Sequence, residues 1–480
     1  MLPSKPENHP YVLQISENFI FLIESPLEFS MGVCLVSMSR FSRVGFILAA
    51  AGSAIGLGNI WKFPYMTGQN GGGAFVFIFL LSILFIGVSV FLAEVVLGRA
   101  SEKNPVSTFE ELAPKGARYW RFTGFMIING VLILSFYSVV IGWLIHYIVL
   151  SFTGLPQSVE QAGGMFGELT SHSVFLQIFF HTLVIGYCGY ILSRGVKKGI
   201  ERINFILMPL LFLIFIVLLF YALGMESFSR SLAFMFTPKW EDITPQVILM
   251  SVSQAFFTLS LGVGTIITYA ASFPRKGNFV SSAIYVAALD TIIAVIAGLV
   301  IFTFLFEFGS DPSGGPGLVF ISLPVVFAQM GTIGQGVSLL FFIALIFAGI
   351  TSAISTVEPF LSYLIERHDW KRGRAVVLIL GISYIAGILV IFGGSESYAE
   401  VMKIAGRSIF DWLDFISSAL LMPIAGMLTC IFVGFVIDKN HIHGMFSGHM
   451  SPFFFKIWLF CVRFVAPIAI FSILANGLFS

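Results

Sequence analysis

The chain has 480 residues, of which 57% are hydrophobic and only 11% are charged. Soluble domains carry about 25% charged residues, so this composition excludes an ordinary soluble protein. A net charge of +1 gives no basic surface for nucleic acid, and the four cysteines are too far apart for a metal-binding motif. We therefore expect an all-α protein that crosses a membrane many times.

Residues 1–40 are predicted to form an N-terminal cytoplasmic tail. Their apolar stretch, FSMGVCLVSM, is too short to span a bilayer and has no nearby Lys or Arg on its N-terminal side, so it is a poor signal peptide. Met38 opens a more natural start, and we expect the tail to be disordered or not translated.

The remaining chain contains repeated apolar runs of about 18 residues or more, each long enough to cross a bilayer. We predict eleven spans, near 43–66, 73–98, 122–151, 173–192, 203–223, 246–272, 279–306, 337–365, 375–393, 410–437 and 454–477. They divide into a first inverted repeat (41–224, spans 1–5), a second (225–440, spans 6–10) and a last part (441–480) with span 11. The apolar run 317–330 is short and contains a proline, so we expect it to pack back onto the protein as a loop.

The loops alternate in charge along the chain. Those after spans 2, 4, 6, 8 and 10 hold 17 Lys and Arg residues, whereas those after spans 3, 5, 7 and 9 hold four. Positive loops face the cytoplasm. The sequence therefore predicts a cytoplasmic N-terminus and, with eleven spans, an external C-terminus.

Two predicted spans carry glycine and polar residues at mid-membrane depth. Span 1 contains AAAGSAIGLGNIWKFPY (49–65) and span 6 contains SQAFFTLSLGVGTIITYA (253–270). Glycines for close helix packing are the simpler explanation elsewhere, but not for this combination with Asn59, Lys62 and Pro64. Because paired, glycine-interrupted segments at matching places mark transporter sites, we interpret both as broken helices.

A broken helix leaves backbone N–H and C=O groups without partners, which is costly in lipid. A cation can bind the free carbonyls, and the N–H groups that begin the next half-helix favour an anion such as a carboxylate. The breaks therefore predict a site for a cation and an anionic group together.

Three motifs resemble the neurotransmitter:sodium symporter family. They are the span 1 segment with the following NGGGAF, FFTLSLGVG at 256–264, and FAGITSAIS at 347–355. The resemblance runs from about residue 40 to the C-terminus. It implies a multi-pass bacterial inner-membrane protein with inverted five-helix repeats, broken spans 1 and 6 and the eleven spans common among bacterial members.

The resemblance also implies two sodium sites. The first would use the Ala54 carbonyl and the side chains of Asn59, Thr258 and Asp290, completed by the substrate carboxylate. The second would use the carbonyls of Gly52, Ile55 and Ala348 and the hydroxyls of Thr351 and Ser352. Oxygen ligands of this kind suit a hard cation, although the two hydroxyls alone equally suit hydrogen bonds to their own helix.

For the substrate, the resemblance implies carboxylate contacts from the N–H groups of Leu57 and Gly58 and the hydroxyl of Tyr137. The side-chain pocket would be lined by Ser53, Ile133, Phe257, Ser260, Val263, Ser352 and Thr356. Gly56 stands where monoamine-carrying members have an acid, which favours an amino acid. Val263 and Thr356 replace larger or less polar residues of relatives, so we expect a bulky apolar or aromatic neutral amino acid.

Asp290 departs from the family, in which many members have Asn at this position. A carboxylate at the bilayer centre needs a partner, and sodium is the obvious one. Since Asp290 supplies the negative charge that animal members take from chloride, we expect no chloride requirement. The competing interpretation is that Asp290 carries a proton outward on the return step.

The gates depart from the family as well. Lys62 replaces the usual Arg of the outer gate and would pair with Asp414, while Arg40 and Glu366 would form an approximate inner gate. Gly199 and Pro209 keep the spacing by which related members unwind span 5.

The predicted function is sodium-coupled import by alternating access, without enzymatic activity. Two alternatives remain open, namely a proton-coupled transporter of the same fold and a transport-inactive amino-acid sensor.

Overall fold

The computed structural model describes residues 40–479, so the predicted tail lies outside the described residues except for Arg40. The described chain is built of helices that correspond in position to the predicted spans. Numbered in chain order, these are α1 Arg43–Ala54, α2 Gly58–Gln69, α3 Gly73–Ser101, α4 Arg118–Thr153, α5 Val174–Ser193, α6 Val196–Leu223, α7 Pro245–Thr258, α8 Thr265–Ala271, α9 Phe279–Glu307, α10 Thr332–His368, α11 Arg372–Gly394, α12 Ile409–Val436 and α13 Pro452–Leu478.

Within residues 40–479, nine helices are long and apolar enough to cross a membrane, and a tenth span results if α1 and α2 count as one. Helices α7 and α8 occupy the predicted span 6, but they are only 14 and 7 residues long. A multi-pass, all-helical protein is therefore confirmed. The count of eleven stays a prediction, because it requires α7 and α8 to act as one broken span.

Both predicted breaks are present. Helices α1 and α2 meet at an angle of 51° across residues 55–57. Between α7 and α8, Ser260, Gly262 and Gly264 adopt positive φ angles of 52°, 77° and 88°. A β-carbon at Gly262 would also collide with the carbonyl oxygen of Met422. Both the positive φ and the lack of space therefore require glycine at this position.

The two breaks lie side by side at the centre of the helix bundle. Helix α1 packs against α6, α9 and α10, and α10 packs along α4. The Ser260 hydroxyl donates a hydrogen bond of 2.8 Å to the Ser53 carbonyl, which joins the second break directly to the end of α1. A carbonyl at the first break is therefore satisfied by a side chain of the second.

The apolar segment 317–330 packs back onto the protein, as predicted, but as a short helix and not as a loop. It forms a short helix, Ser322–Gln329, and its Phe320 and Phe327 side chains are buried. The Tyr147 hydroxyl of α4 donates to the Phe320 carbonyl at 2.6 Å. Further short helices lie between the long ones, at Pro105–Leu112, Val159–Gly167, Phe228–Phe236 and Lys439–Phe446.

Candidate functional site

The break between α1 and α2 presents backbone N–H groups to polar side chains. The Gly56 N–H donates to Asn59 Oδ1 at 3.0 Å, and the Leu57 N–H donates to the Tyr137 hydroxyl oxygen at 3.1 Å. Because Tyr137 accepts here, its own O–H proton is directed elsewhere and can serve an acceptor such as a carboxylate. Leu57 and Tyr137, two of the predicted carboxylate ligands, are thus in contact.

Asp290 is the centre of the first polar cluster and is fully buried. Asn59 Nδ2 donates to its Oδ1 at 2.8 Å, and the Thr258 hydroxyl donates to its Oδ2 at 3.1 Å. Within residues 40–479 no basic side chain forms an ion pair with it. Since a buried charge is costly without an opposite charge, this oxygen-rich cluster fits a small cation.

The second cluster lies where α1 ends against α10. The Ser352 hydroxyl is 3.2 Å from the carbonyl oxygens of Gly52 and Ser53 and 3.3 Å from that of Ile55. Thr351 instead bonds back to its own helix, at 3.1 Å from the Ala348 carbonyl. All five predicted positions of the second sodium site belong to this region, in which carbonyl oxygens outnumber the donors that face them.

A cavity joins the two clusters. Every predicted pocket residue lines it except Leu57, whose contribution is its backbone N–H. The lining consists of Ser53, Ala54, Gly56, Gly58, Ile133, Tyr137, Phe257, Thr258, Ser260, Val263, Ser352, Thr356 and Met422. Met422 of α12 was missed, because nothing in the residues around it marks its approach to the cavity. The cavity therefore brings one residue of each cluster, Thr258 of the first and Ser352 of the second, to the same space.

Residues 39–162 and 157–480 match the family model of the sodium:neurotransmitter symporter family, which accounts for nearly the whole chain. The chain belongs to this family. It is therefore a sodium-coupled membrane transporter and not an enzyme, as the sequence predicted.

Relatives of this symporter span the same length. The sodium-dependent transporter YhdH of Bacillus subtilis is 36% identical over 448 residues, covering 91% of this chain and 96% of the relative. A sodium-dependent transporter of Haemophilus influenzae is 34% identical over 91% of this chain and 97% of its own. The crystal structure of MhsT in complex with L-phenylalanine matches with a TM-score of 0.83 and 40% identity, over 92% of this chain and 100% of that one.

The residues predicted to form the outer gate line a wide cavity that is separate from the central one. Lys62 and Asp414 both line it. The Lys62 ammonium lies 4.2 Å from the centre of the Phe257 ring, and Asp414 accepts a hydrogen bond of 2.8 Å from Ser418. In the described part of the chain the predicted Lys62–Asp414 ion pair is not formed, because each residue has this other partner.

The predicted inner-gate pair, Arg40 and Glu366, is not formed either. Arg40 pairs with Glu102 at 2.6 Å and donates to the Phe273 carbonyl. Glu366 instead accepts 2.8 Å hydrogen bonds from the backbone and side-chain nitrogens of Asn104, which caps the helix Pro105–Leu112. The Asn-Pro pair at 104–105 is a helix-start signal that was available in the sequence. The hydrogen bond from Arg40 keeps the pKa of Glu102 below its ordinary value, so the pair is charged at neutral pH.

Two further buried acids have definite partners. Glu94 accepts the Gly262 N–H at 2.8 Å and so supports the second break. Glu358, for which the sequence suggested no partner, binds both terminal nitrogens of Arg372 at 2.9 and 2.6 Å, while Arg372 Nε donates to the Leu192 carbonyl. This contact ties the end of α5 and the start of α11 to α10.

Replacing Glu358 by Gln is expected to lower the free energy of unfolding by about 3–5 kcal/mol, because it leaves the largely buried Arg372 without its counter-charge. The measurement is thermal unfolding of the purified protein in detergent. The matched control is Glu111→Gln, which removes the exposed Lys103–Glu111 pair and should cost less than about 1 kcal/mol. Equal melting temperatures for the two variants would contradict the structural role given to Glu358.

Proposed function

We propose that this symporter imports a neutral amino acid together with two sodium ions, by alternating access and without a chloride requirement. The observation that carries the proposal is the cavity between two oxygen-rich clusters, one of which contains the buried Asp290 carboxylate. The N-terminus would face the cytoplasm and the C-terminus the outside of a bacterial inner membrane, as the distribution of Lys and Arg suggests.

The first ion would bind Asn59, Thr258, Asp290 and the Ala54 carbonyl, and the second would bind among Gly52, Ile55, Ala348, Thr351 and Ser352. Support comes from the short distances inside each cluster and from the excess of acceptor oxygens over donors. The ion at Asp290 would also face the substrate carboxylate, so binding of one strengthens binding of the other.

The substrate would be an amino acid with a bulky apolar or aromatic side chain. Tyr137 and the N–H groups of Leu57 and Gly58 offer donors for its carboxylate, while Ile133, Phe257 and Val263 give the pocket an apolar wall. The match to a relative solved with L-phenylalanine agrees with this class. No acidic side chain lines the cavity in the described residues, which argues against a monoamine.

Two sodium ions are sufficient to drive accumulation. Moving two charges with a zwitterion releases about 4.6 kcal/mol per 100 mV of membrane potential, or roughly three decades of concentration ratio.

The deciding experiment is equilibrium binding of a panel of labelled amino acids to the purified protein, in sodium and in potassium, each with and without chloride. We expect tight binding of a bulky neutral amino acid in sodium only, with no effect of chloride. Equal binding in sodium and potassium would reject sodium coupling and favour the proton-coupled or sensor alternatives. Binding that needs chloride would reject the charge-balancing role of Asp290.

A further inference from the structure

Arg463 carries a positive charge inside α13, one of the described helices that are long and apolar enough to cross the membrane. It follows Pro452, the first residue of that helix, by 11 positions, which places its Cα about 16 Å along the helix. Charged side chains at such a depth are rare and normally pair with an opposite charge. Within residues 40–479 no acidic side chain forms an ion pair with Arg463. The described chain thus supplies no counter-charge at this depth.

A structural role explains only part of the Arg463 guanidinium. Its Nε donates to the Gly434 carbonyl at 2.6 Å, and its centre lies 5.3 Å from the centre of the Phe435 ring. Gly434 lies in the last turn of α12, whose final carbonyls have no partner in the helix, so this bond caps α12. In the described part of the chain, the two terminal nitrogens have no hydrogen-bond partner. Their N–H groups form a fork that matches two oxygens of a phosphate.

Arg463 also lines a cavity of about 340 Å³ near the start of α13. Lys456, two turns earlier on α13, and Lys439, at the start of the short helix before it, line the same cavity. Both lysines are exposed, and neither forms an ion pair within residues 40–479. No acidic side chain belongs to the described lining. Three positive charges therefore border a space whose volume suits the polar part of a small ligand.

Apolar side chains that contact lipid lie next to these charges. Phe460 and Phe464 also line the cavity, and they are 57% and 47% exposed. Since they belong to a spanning helix, their exposed surface faces hydrocarbon. Helical side chains tilt toward the N-terminus, which in α13 is the end that the distribution of Lys and Arg assigns to the cytoplasm. The positive groups of α13 are thereby directed toward the level of the lipid headgroups.

We propose that this cavity binds the headgroup of an anionic phospholipid from the cytoplasmic leaflet. The phosphate accepts hydrogen bonds from the terminal nitrogens of Arg463, and Lys456 and Lys439 add to the attraction. An acyl chain lies along Phe460 and Phe464. Basic pockets between spanning helices on the cytoplasmic side are typical of such headgroup sites. The proposal shares only the membrane orientation with the proposed function, because this cavity has no residue in common with the central one.

Other occupants fit the cavity less well. A zwitterionic phospholipid offers the same phosphate, but the ammonium of its headgroup would meet the two lysines. A free phosphate ion would use the positive charges but not the two exposed rings. The combination of charge and lipid-facing apolar surface therefore favours an amphiphilic anion.

The test uses photoactivatable phosphatidylglycerol with its reactive group on an acyl chain, and a matching phosphatidylcholine probe for comparison. Each probe is a small fraction of the lipid in phosphatidylcholine nanodiscs that hold the purified full chain, and cross-linked peptides are mapped by mass spectrometry. We expect labelling of α13 around Phe460 and Phe464 to be at least about tenfold stronger with the anionic probe. Arg463→Gln should remove most of that preference, and Lys456→Gln should reduce it about fivefold.

The matched control is Arg121→Gln near the start of α4. Arg121 is exposed and lies 5.3 Å from the centre of the Phe122 ring, the same distance as between Arg463 and its ring, but it does not line the cavity. This variant should leave the preference unchanged. Arg463→Lys keeps the charge and should retain part of the preference, whereas a loss caused by the missing cap of α12 would be equal in both Arg463 variants.

Equal labelling of α13 by the two probes in the unaltered protein would reject the site. A preference that survives both Arg463→Gln and Lys456→Gln would reject it too, because general surface charge would then attract the lipid. Competition by an excess of inorganic phosphate would overturn the choice of a lipid. If Arg463→Gln fails to fold, an unchanged preference in Lys456→Gln rejects the site by itself. The test needs neither sodium nor amino acid, so its failure is distinguishable from failure of the proposed function.

Discussion

Replacing Asp290 by Asn is expected to raise the sodium concentration for half-maximal amino-acid binding by at least about thirtyfold. The substitution keeps the size of the side chain and removes the only charge of the first cluster. Sodium at this position would then meet neutral ligands alone, apart from the substrate carboxylate. The measurement is a sodium titration of labelled amino-acid binding, performed with and without chloride, and we expect chloride to restore part of the lost affinity.

The control is Thr258→Val, which removes the hydroxyl that lies 3.1 Å from Asp290 Oδ2 but leaves the carboxylate. Its effect should be smaller, about tenfold or less, as for a single hydrogen bond to a charged group. Sodium titrations that do not change in Asp290→Asn would rule out a cation at this carboxylate.

The second large effect is expected at Gly56. A β-carbon there would lie 2.7 Å from the Ser352 hydroxyl oxygen and 2.9 Å from that of Tyr137, closer than real contacts allow. Either side chain must move, and each belongs to a proposed binding contact. Gly56→Ala should therefore weaken amino-acid binding by roughly 5- to 150-fold, the equivalent of about 1–3 kcal/mol of overpacking.

Gly186→Ala on α5 is the matched control, since a β-carbon at Gly186 meets nothing within 4 Å. It should bind amino acid like the unaltered protein and show the same melting temperature. If Gly56→Ala bound equally well, the carboxylate would have to lie elsewhere in the cavity.

The central features were predictable because their signals are local. The broken helices are marked by glycine, asparagine and proline within one run, and the breaks themselves bring Gly56, Thr258 and Ser260 to the cavity. That the segment 317–330 does not span the membrane was predictable from its length and its proline, although its short helix was not. In each case the chemistry of a short segment leaves few alternatives in a membrane.

The missed contacts involve residues that are distant in sequence or that bind a partner other than the predicted one. Arg372 follows Glu358 by 14 positions and belongs to the next helix, and Met422 reaches the cavity only through the packing of α12. Arg40 pairs with Glu102, and Glu366 accepts hydrogen bonds from Asn104. Periodicity and composition report which face of a helix is apolar, but not which of several nearby acids a cation will meet.

The position of Lys62 affects how easily the transporter can change between an open and a closed form. Its ammonium lies over the ring of Phe257, which also lines the central cavity. Asp414 lines the same second cavity as Lys62. If Lys62 paired with Asp414 to close this cavity, it would give up its contact with the Phe257 ring. The closed form would then replace one favourable contact of Lys62 with another. Because Lys62 has a favourable partner in either arrangement, a Lys62–Asp414 ion pair would favour the closed form by less than a wholly new contact would, and bound ions and substrate would have more weight in deciding which form prevails.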